Sequence, residues 1–216
     1  MIMDHDKIKI GLREVERLYT EGIAKYGLNS QSVGWKDEES QKLRFKKLVE
    51  LINDKDKFVS VNELGCGYGA MFDFLKKSNF NISHYRGYDI SKTMIENAKK
   101  FIVDKRTEFI HGDKITKIAD YCFASGIFNV KFDVNDDLWQ KYMEHILFNM
   151  NEYSKKGFSF NVLTTYVDYK KDHLYYADPL YYFDFCKRNF TKKVSLLHDY
   201  ELFEWTIICC KGIDPE

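Results

Sequence analysis

The chain has 216 residues, 44% hydrophobic and 31% charged, which is enough apolar material for one domain with a full core. Its 33 basic residues balance 33 acidic ones, and a net charge of zero provides no broad basic field of the kind that holds DNA or tRNA. Five cysteines show no C-x-x-C pair and no clustering with histidines, so they read as buried thiols of a reducing compartment, not as disulfides or metal ligands.

From the N-terminus, Ile8, Leu12, Val15, Tyr19, Ile23 and Tyr26 recur at helical spacing, which predicts a helix over 7–26 with Gly27 as its C-cap. The first residues are charged from Asp4 onward and lack the apolar core of a signal peptide, and no stretch approaches a membrane span. A cytoplasmic location without a membrane partner is therefore expected. After the polar segment LNSQSVGWK, a second helix is expected from beyond Asp37 to about Asn53, with Leu43, Leu48 and Ile52 inward.

Val59, Val61 and Leu64 then mark a short buried strand, followed by Gly65, Gly67 and Gly69 at alternate positions and a helix with Met71, Phe74 and Leu75 inward. Such a strand, turn and helix present free backbone N–H groups and little side-chain bulk to a ligand. The spacing G-x-G-x-G departs from the G-x-G-x-x-G of dinucleotide sites. Glu63, just before the first glycine, would repel a pyrophosphate but attract a cationic amino group. The pattern favours a nucleoside with an amino-acid end.

Further along, HYRGYDIS (His84 to Ser91) reads as a second strand ending in Asp89, and TEFIHGDKI (Thr107 to Ile115) as a third. A fourth strand and its loop are expected in ADYCFASGIFNV (Ala119 to Val130), then a long amphipathic helix from Asn135 to Lys156. GFSFNVLTT (Gly157 to Thr165) is the fifth strand, and a tyrosine-rich insertion runs to Ala177. Asp178 caps a helix with Pro179 at its first position, and KKVSLLHDY with FEWTIICCK forms a closing hairpin.

Between Val59 and about Asn129, these signals in this order resemble the class I S-adenosylmethionine-dependent methyltransferases, whose first motif is an acidic residue, a spacer and G-x-G-x-G. The resemblance implies an α/β fold: a Rossmann-like, seven-stranded, mostly parallel sheet with helices on both faces, the last strand antiparallel, and an N-terminal helical lid. One domain spans 1–216 on this reading, with 1–54 as the lid and 55–216 as the core. S-adenosylmethionine is the implied methyl donor and S-adenosylhomocysteine the product, with no metal. Glu63 is placed at the donor's amino end, Gly65, Cys66 and Gly67 along its methionine portion, and Asp89 on the ribose hydroxyls. Ile90 and Met94 face the adenine, Gly112 and Asp113 lie near its amino group, and Ser125 stands at the methyl-transfer end. Asp89 equally suits the start of the next helix, with Ser91 as its cap, and Gly112-Asp113 is also an ordinary turn pair.

On the acceptor side the candidates are Asn129, in the loop after the fourth strand, Tyr19 on the first helix, and His173 in the insertion. Tyr19, Tyr26 and Trp35 fit an aromatic lid, or Tyr19 and Tyr26 fit the core stripe of their helix. Arg44 is a candidate for the donor's carboxylate or a solvated helix arginine. His173 reads as a proton acceptor or as a loop histidine. No strong base motif stands out, and the fourth strand ends Ala124, Ser125, Gly126 without the Asn/Asp-Pro-Pro-aromatic motif of nucleobase methylation. The expected acceptor is a small metabolite with a nitrogen or oxygen nucleophile, tilted towards an amine. A protein methyltransferase, a nicotinamide-dependent oxidoreductase and a non-catalytic nucleoside-binding subunit are the alternatives, and the oligomeric state is open.

Overall fold

The computed structural model describes residues 5–52 and 58–212. In chain order it contains α1 (His5–Tyr26), a 3-10 turn (Ser30–Val33), α2 (Glu38–Val49), β1 (Val59–Leu64), α3 (Ala70–Lys77), β2 (Ile82–Asp89), α4 (Lys92–Phe101) and β3 (Thr107–His111). There follow β4 (Ala119–Ser125), α5 (Asp136–Glu152), β5 (Ser154–Leu163), α6 (Pro179–Asn189), β6 (Lys193–Leu197) and β7 (Glu204–Cys210). The strands form one sheet in the order β3-β2-β1-β4-β5-β7-β6. All pairings are parallel except those of β7, which runs antiparallel to β5 and β6. The Rossmann-like sheet, the antiparallel final strand and the N-terminal helix are as the resemblance implied.

β1 is an interior strand of this sheet, flanked by β2 and β4, which is why five of its six residues are buried and its sequence lacks a polar face. The order in which successive strands are laid down reverses between the parallel strands β1 and β4, opening a crevice at their carboxyl ends. Two apolar layers cover the faces. Alternation along β5 sends Phe158, Phe160 and Val162 into a cluster with Trp139, Trp205 and Tyr182. On the opposite face Leu48, Phe72, Tyr85 and Phe123 pack beneath α2, α3 and α4. Both buried indoles are satisfied, Trp139 donating to the Phe128 carbonyl at 2.8 Å and Trp205 to the Ala177 carbonyl at 3.0 Å.

Helix ends follow the expected chemistry. Gly27 is left-handed (φ 72°) and donates to the Ile23 carbonyl at 2.9 Å, Ser91 caps α4 through the Met94 amide, and Asp178 caps α6 with Pro179 in its first turn. Three boundaries differ from expectation. α5 ends at Glu152 instead of Lys156, because Ser154 already pairs with Ala119 and opens β5 earlier than Gly157. α2 ends at Val49, while Asn53 and the 54/55 division of lid from core fall outside the described residues. The inward stripe of α2 also contains Gln41 and Arg44 beside Phe45, Leu48 and Val49, so it is not wholly apolar. Among the described residues no helix is long and apolar enough to cross a membrane.

The turn after β1 depends on glycine most strictly at Gly65. Its φ is 74°, and a Cβ there would stand 2.1 Å from Cγ2 of Ile127, a β-branched side chain with little rotameric freedom. Replacing Gly65 with alanine is expected to lower stability by about 2 kcal/mol, from left-handed strain plus overpacking. Chemical denaturation checks this, and an unchanged midpoint would contradict it.

Candidate active site

The crevice holds a cavity at the carboxyl ends of β1 and β4, walled by the glycine turn and by residues of α1 and α2. Its floor is the glycine turn. Gly65, Gly67 and Gly69 all have positive φ, and the Gly65 and Cys66 amides both donate to the Tyr88 carbonyl, at 2.7 and 3.0 Å. This bends the chain back over the end of β2 and brings Asp89 beneath it. The Asp89 carboxylate accepts the Gly67 amide on one oxygen and the Ser91 amide on the other, each at 2.8 Å. One side chain thus fixes both the turn and the start of α4.

Two acids line the wall on either side of that turn. Glu63, on β1, is 2% exposed, and its carboxyl accepts a hydrogen bond from the Tyr85 hydroxyl. Burial pushes its pKa up to about 8, with the Asp89 charge adding to the rise and the Tyr85 bond opposing it. Asp89 is pushed up to about 6, again by burial, and the Ser91 and Gly67 amides hold it from rising further. A pair of desolvated acids at the bottom of a cavity is matched by a ligand that brings positive charge and hydroxyl donors.

Of the donor-side candidates from the sequence, Glu63, Gly65, Cys66, Gly67, Asp89, Ile90, Met94, Gly112, Asp113 and Ser125 lie on this cavity wall, and Arg44 does not. Of the acceptor-side candidates only Tyr19 does. Its hydroxyl is raised to about 12 by burial and then by Asp89, so it is neutral at physiological pH. Asn129 is not on the wall. It is a buried tie whose Oδ1 accepts the Leu163 amide at 3.1 Å and whose Nδ2 donates to Glu204 at 3.4 Å. His173 is also off the wall: its side chain is exposed, and its carbonyl accepts the Lys131 and Phe132 amides. Tyr26 is 43% exposed, so of the aromatic lid only Tyr19 and Trp35 face the cavity.

Arg44 is neither solvated nor free to grip a ligand with its full fork. Nε and Nη2 donate to Glu204 at 2.8 and 2.9 Å, in a bidentate pair whose side chains are 9% and 1% exposed. The Trp35 ring stacks on its guanidinium at 3.8 Å. Trp35 also fills the space above Gly126, where a Cβ would come within 2.1 Å of the indole. Sequence reasoning missed this assembly, together with Val33, Gln41, Phe45, Tyr68, Ile127 and Tyr142 on the wall. Tyr68 donates to Gln41 at 3.3 Å, and Thr20 on α1 lies 3.2 Å from the Ser91 hydroxyl, so α1 and α2 are both tied to the cavity rim.

This fold and site define a nucleoside-binding α/β protein of methyltransferase type, and comparison with known proteins narrows that. Residues 62–131 match a family model described as a methyltransferase domain. Rv1506c of Mycobacterium tuberculosis (strain ATCC 25618 / H37Rv), a methyltransferase by name, is 45% identical over 167 residues, covering 76% of this chain and 99% of that protein. Among solved structures, the chain is similar to magnesium protoporphyrin IX methyltransferase (ChlM) from Synechocystis PCC 6803 with bound SAM, with a TM-score of 0.65 at 11% identity over 95% of this chain and 97% of that one. It is similar also to the DhpI–SAH complex, with a TM-score of 0.63 at 15% identity over 98% and 100% of the two chains. These two likenesses concern the fold. The chain belongs to the class I S-adenosylmethionine-dependent methyltransferases.

Proposed function

We propose that this enzyme methylates a nitrogen or oxygen nucleophile of a small metabolite, with an amine favoured, and that the donor lies along the wall from Asp113 to Ser125. The observation that carries this reading is the pair of buried acids flanking the glycine turn. Glu63 takes the donor's amino end, Asp89 the ribose hydroxyls, Ile90 and Met94 the adenine face, and Gly112 with Asp113 the adenine rim. Gly65, Cys66 and Gly67 flank the methionine portion, and Ser125 stands beside the methyl. Cys66 takes no nucleophilic part, since burial raises its thiol well above the ordinary range. Residues 1–54 act as the lid and 55–216 as the core, with α1 contributing Leu12, Val15 and Tyr19 to the wall.

When bound, the donor supplies a methyl group on a sulfonium and leaves as S-adenosylhomocysteine. The chain's own task is to hold the acceptor in line and exclude water, and positioning of this kind is worth roughly 7–11 kcal/mol in favourable cases. Tyr19, neutral at physiological pH, orients groups through its hydroxyl and does not act as a base. An amine acceptor needs only to arrive unprotonated. Aromatic faces from Tyr19, Trp35, Phe45 and Tyr68 suit cationic groups, at about 0.5 to 2 kcal/mol each. Five free thiols and a zero net charge support a cytoplasmic small-molecule enzyme.

Affinity for S-adenosylhomocysteine should depend on pH in a definite sense. Both acids bind more protons in the folded ligand-free protein than their ordinary values imply, so ionising them opposes stability as pH rises, and a bound ammonium relieves Glu63. Binding then releases protons. Affinity is expected to rise about tenfold per pH unit between roughly pH 6 and 8, more steeply below 6, and to level off above 8. Calorimetric titrations across this range check it, and a flat profile would remove Glu63 from the donor site. The function itself is tested by incubating the enzyme and donor with a metabolite mixture and reading donor-dependent methyl mass shifts. A shifted species above the small-molecule cutoff would favour a protein acceptor instead.

A further inference from the structure

The start of α3 meets the cavity without a cap. Gly69, its N-cap, has no side chain to offer the helix, and Asp73, the acid of the first turn, pairs with Lys77 at 2.7 Å instead. Among the described residues the amides of Ala70 and Met71 have no acceptor, and Ala70 stands on the cavity wall. A helix end with free N–H groups carries positive potential, and burying it costs free energy until something accepts from it.

Gln41 is an independent sign of a ligand at the same place. It is 5% exposed and lies on the same wall. Its Oε1 accepts the Tyr68 hydroxyl at 3.3 Å, while its Nε2 donates to nothing among the described residues. Further along both helices the Phe45 and Phe74 rings pack at 5.6 Å, so α2 and α3 run side by side in the same direction. One helical turn before each ring stand Gln41 and Ala70, which are therefore level with each other. The wall holds no lysine, arginine or histidine. An anion there must use neutral donors, and an amide nitrogen beside a helix N-terminus supplies them.

Resting on the donor reading above, we propose that Gln41 Nε2 and the Ala70 amide hold the carboxylate of the donor's amino-acid end. The ammonium placed on Glu63 shares one carbon with that carboxylate, and Glu63 lies near the end of β1, the strand that leads through the glycine turn into α3. The two charges of one amino-acid end thus meet opposite partners on one wall. Tyr68, by donating to Oε1, turns the Gln41 nitrogen towards the ligand. The consequence is specificity: the enzyme tells a complete amino-acid donor from one that has lost its carboxylate.

The test titrates S-adenosylhomocysteine and its decarboxylated analogue, which keeps the amine, the thioether and the nucleoside, into the unmodified enzyme and into Gln41→Glu. The unmodified enzyme should bind the analogue about tenfold or more weakly than S-adenosylhomocysteine. Gln41→Glu still accepts from Tyr68 but sets a carboxylate against that of the ligand. Affinity for S-adenosylhomocysteine should fall about tenfold or more, while affinity for the analogue falls by no more than about threefold. Gln41→Met, of similar volume but without an N–H group, should show the same split and serves if Gln41→Glu does not fold. Equal affinities of the two ligands for the unmodified enzyme, or a folded Gln41 variant that leaves their ratio unchanged, overturns the proposal. Failure of both ligands to bind the unmodified enzyme instead removes the donor reading, and the subsite falls with it.

Discussion

Replacing Asp89 with alanine is expected to weaken S-adenosylhomocysteine binding by a factor of about 100 or more. Two hydrogen bonds from ribose hydroxyls to a carboxylate account for roughly 3–6 kcal/mol if each is worth the charged-group value. The side chain has a second role that compounds the loss, because its oxygens also hold the Gly67 and Ser91 amides. Without them the glycine turn loses its tie to the start of α4. Asp89→Asn keeps one acceptor for the turn but turns its Nδ2 towards the other amide and offers the ribose a weaker partner, so affinity and melting temperature should both fall, each by less than in the alanine variant. Calorimetry reads the affinity and circular dichroism confirms the fold. A folded alanine variant binding within about threefold of the unmodified enzyme would remove Asp89 from the donor site.

Arg44→Ala is expected to be the most damaging single change to stability, at about 3–5 kcal/mol, because it strands the Glu204 carboxylate in the interior. For a chain of this size that lowers the melting temperature by roughly 6 to 20 °C. Asn129 offers Glu204 only a 3.4 Å contact and does not replace a bidentate guanidinium. The pair as a whole is less valuable than its rupture suggests. Exchanging both residues, Arg44→Met with Glu204→Leu, should recover most of the lost stability while abolishing whatever the guanidinium contributes to ligand binding. Thermal unfolding of the single and double variants decides this. A shift below about 2 °C in Arg44→Ala would mean that Glu204 is not stranded there.

The cavity wall around the glycine turn was legible in the sequence because its grammar is local. Glu63, the three glycines and Asp89 lie within a single strand-turn-helix-strand unit, and each type follows from a backbone or charge requirement at its own position. The helix-start reading of Asp89 and Ser91 holds, since the Asp89 carboxylate on the cavity wall also receives the Ser91 amide while Ser91 caps α4. The acceptor side has no such grammar. Arg44 and Glu204 meet across 160 positions, and Asn129 reaches the Leu163 amide across 34. Neither side chain announces its partner. Arg44 sits among lysines in QKLRFKK, where a solvated reading is natural, and only the packing of α2 on the sheet turns it inward. The early start of β5 had a similar cause. Lys155 and Lys156 continue the polar side of α5 in sequence, but pairing of Ser154 with Ala119 decides the boundary. His173 stands out for its chemistry alone, which carries no information about where the insertion places it.

The central claim is that two buried acids and a glycine turn receive a nucleoside with an amino-acid end. Calorimetric titration of the unmodified enzyme with S-adenosylhomocysteine, repeated in the presence of NADH, tests it most directly. One saturable site, with proton release between about pH 6 and 8 and an affinity indifferent to NADH, is the predicted result. Absence of binding, or displacement of the ligand by NADH, would contradict it.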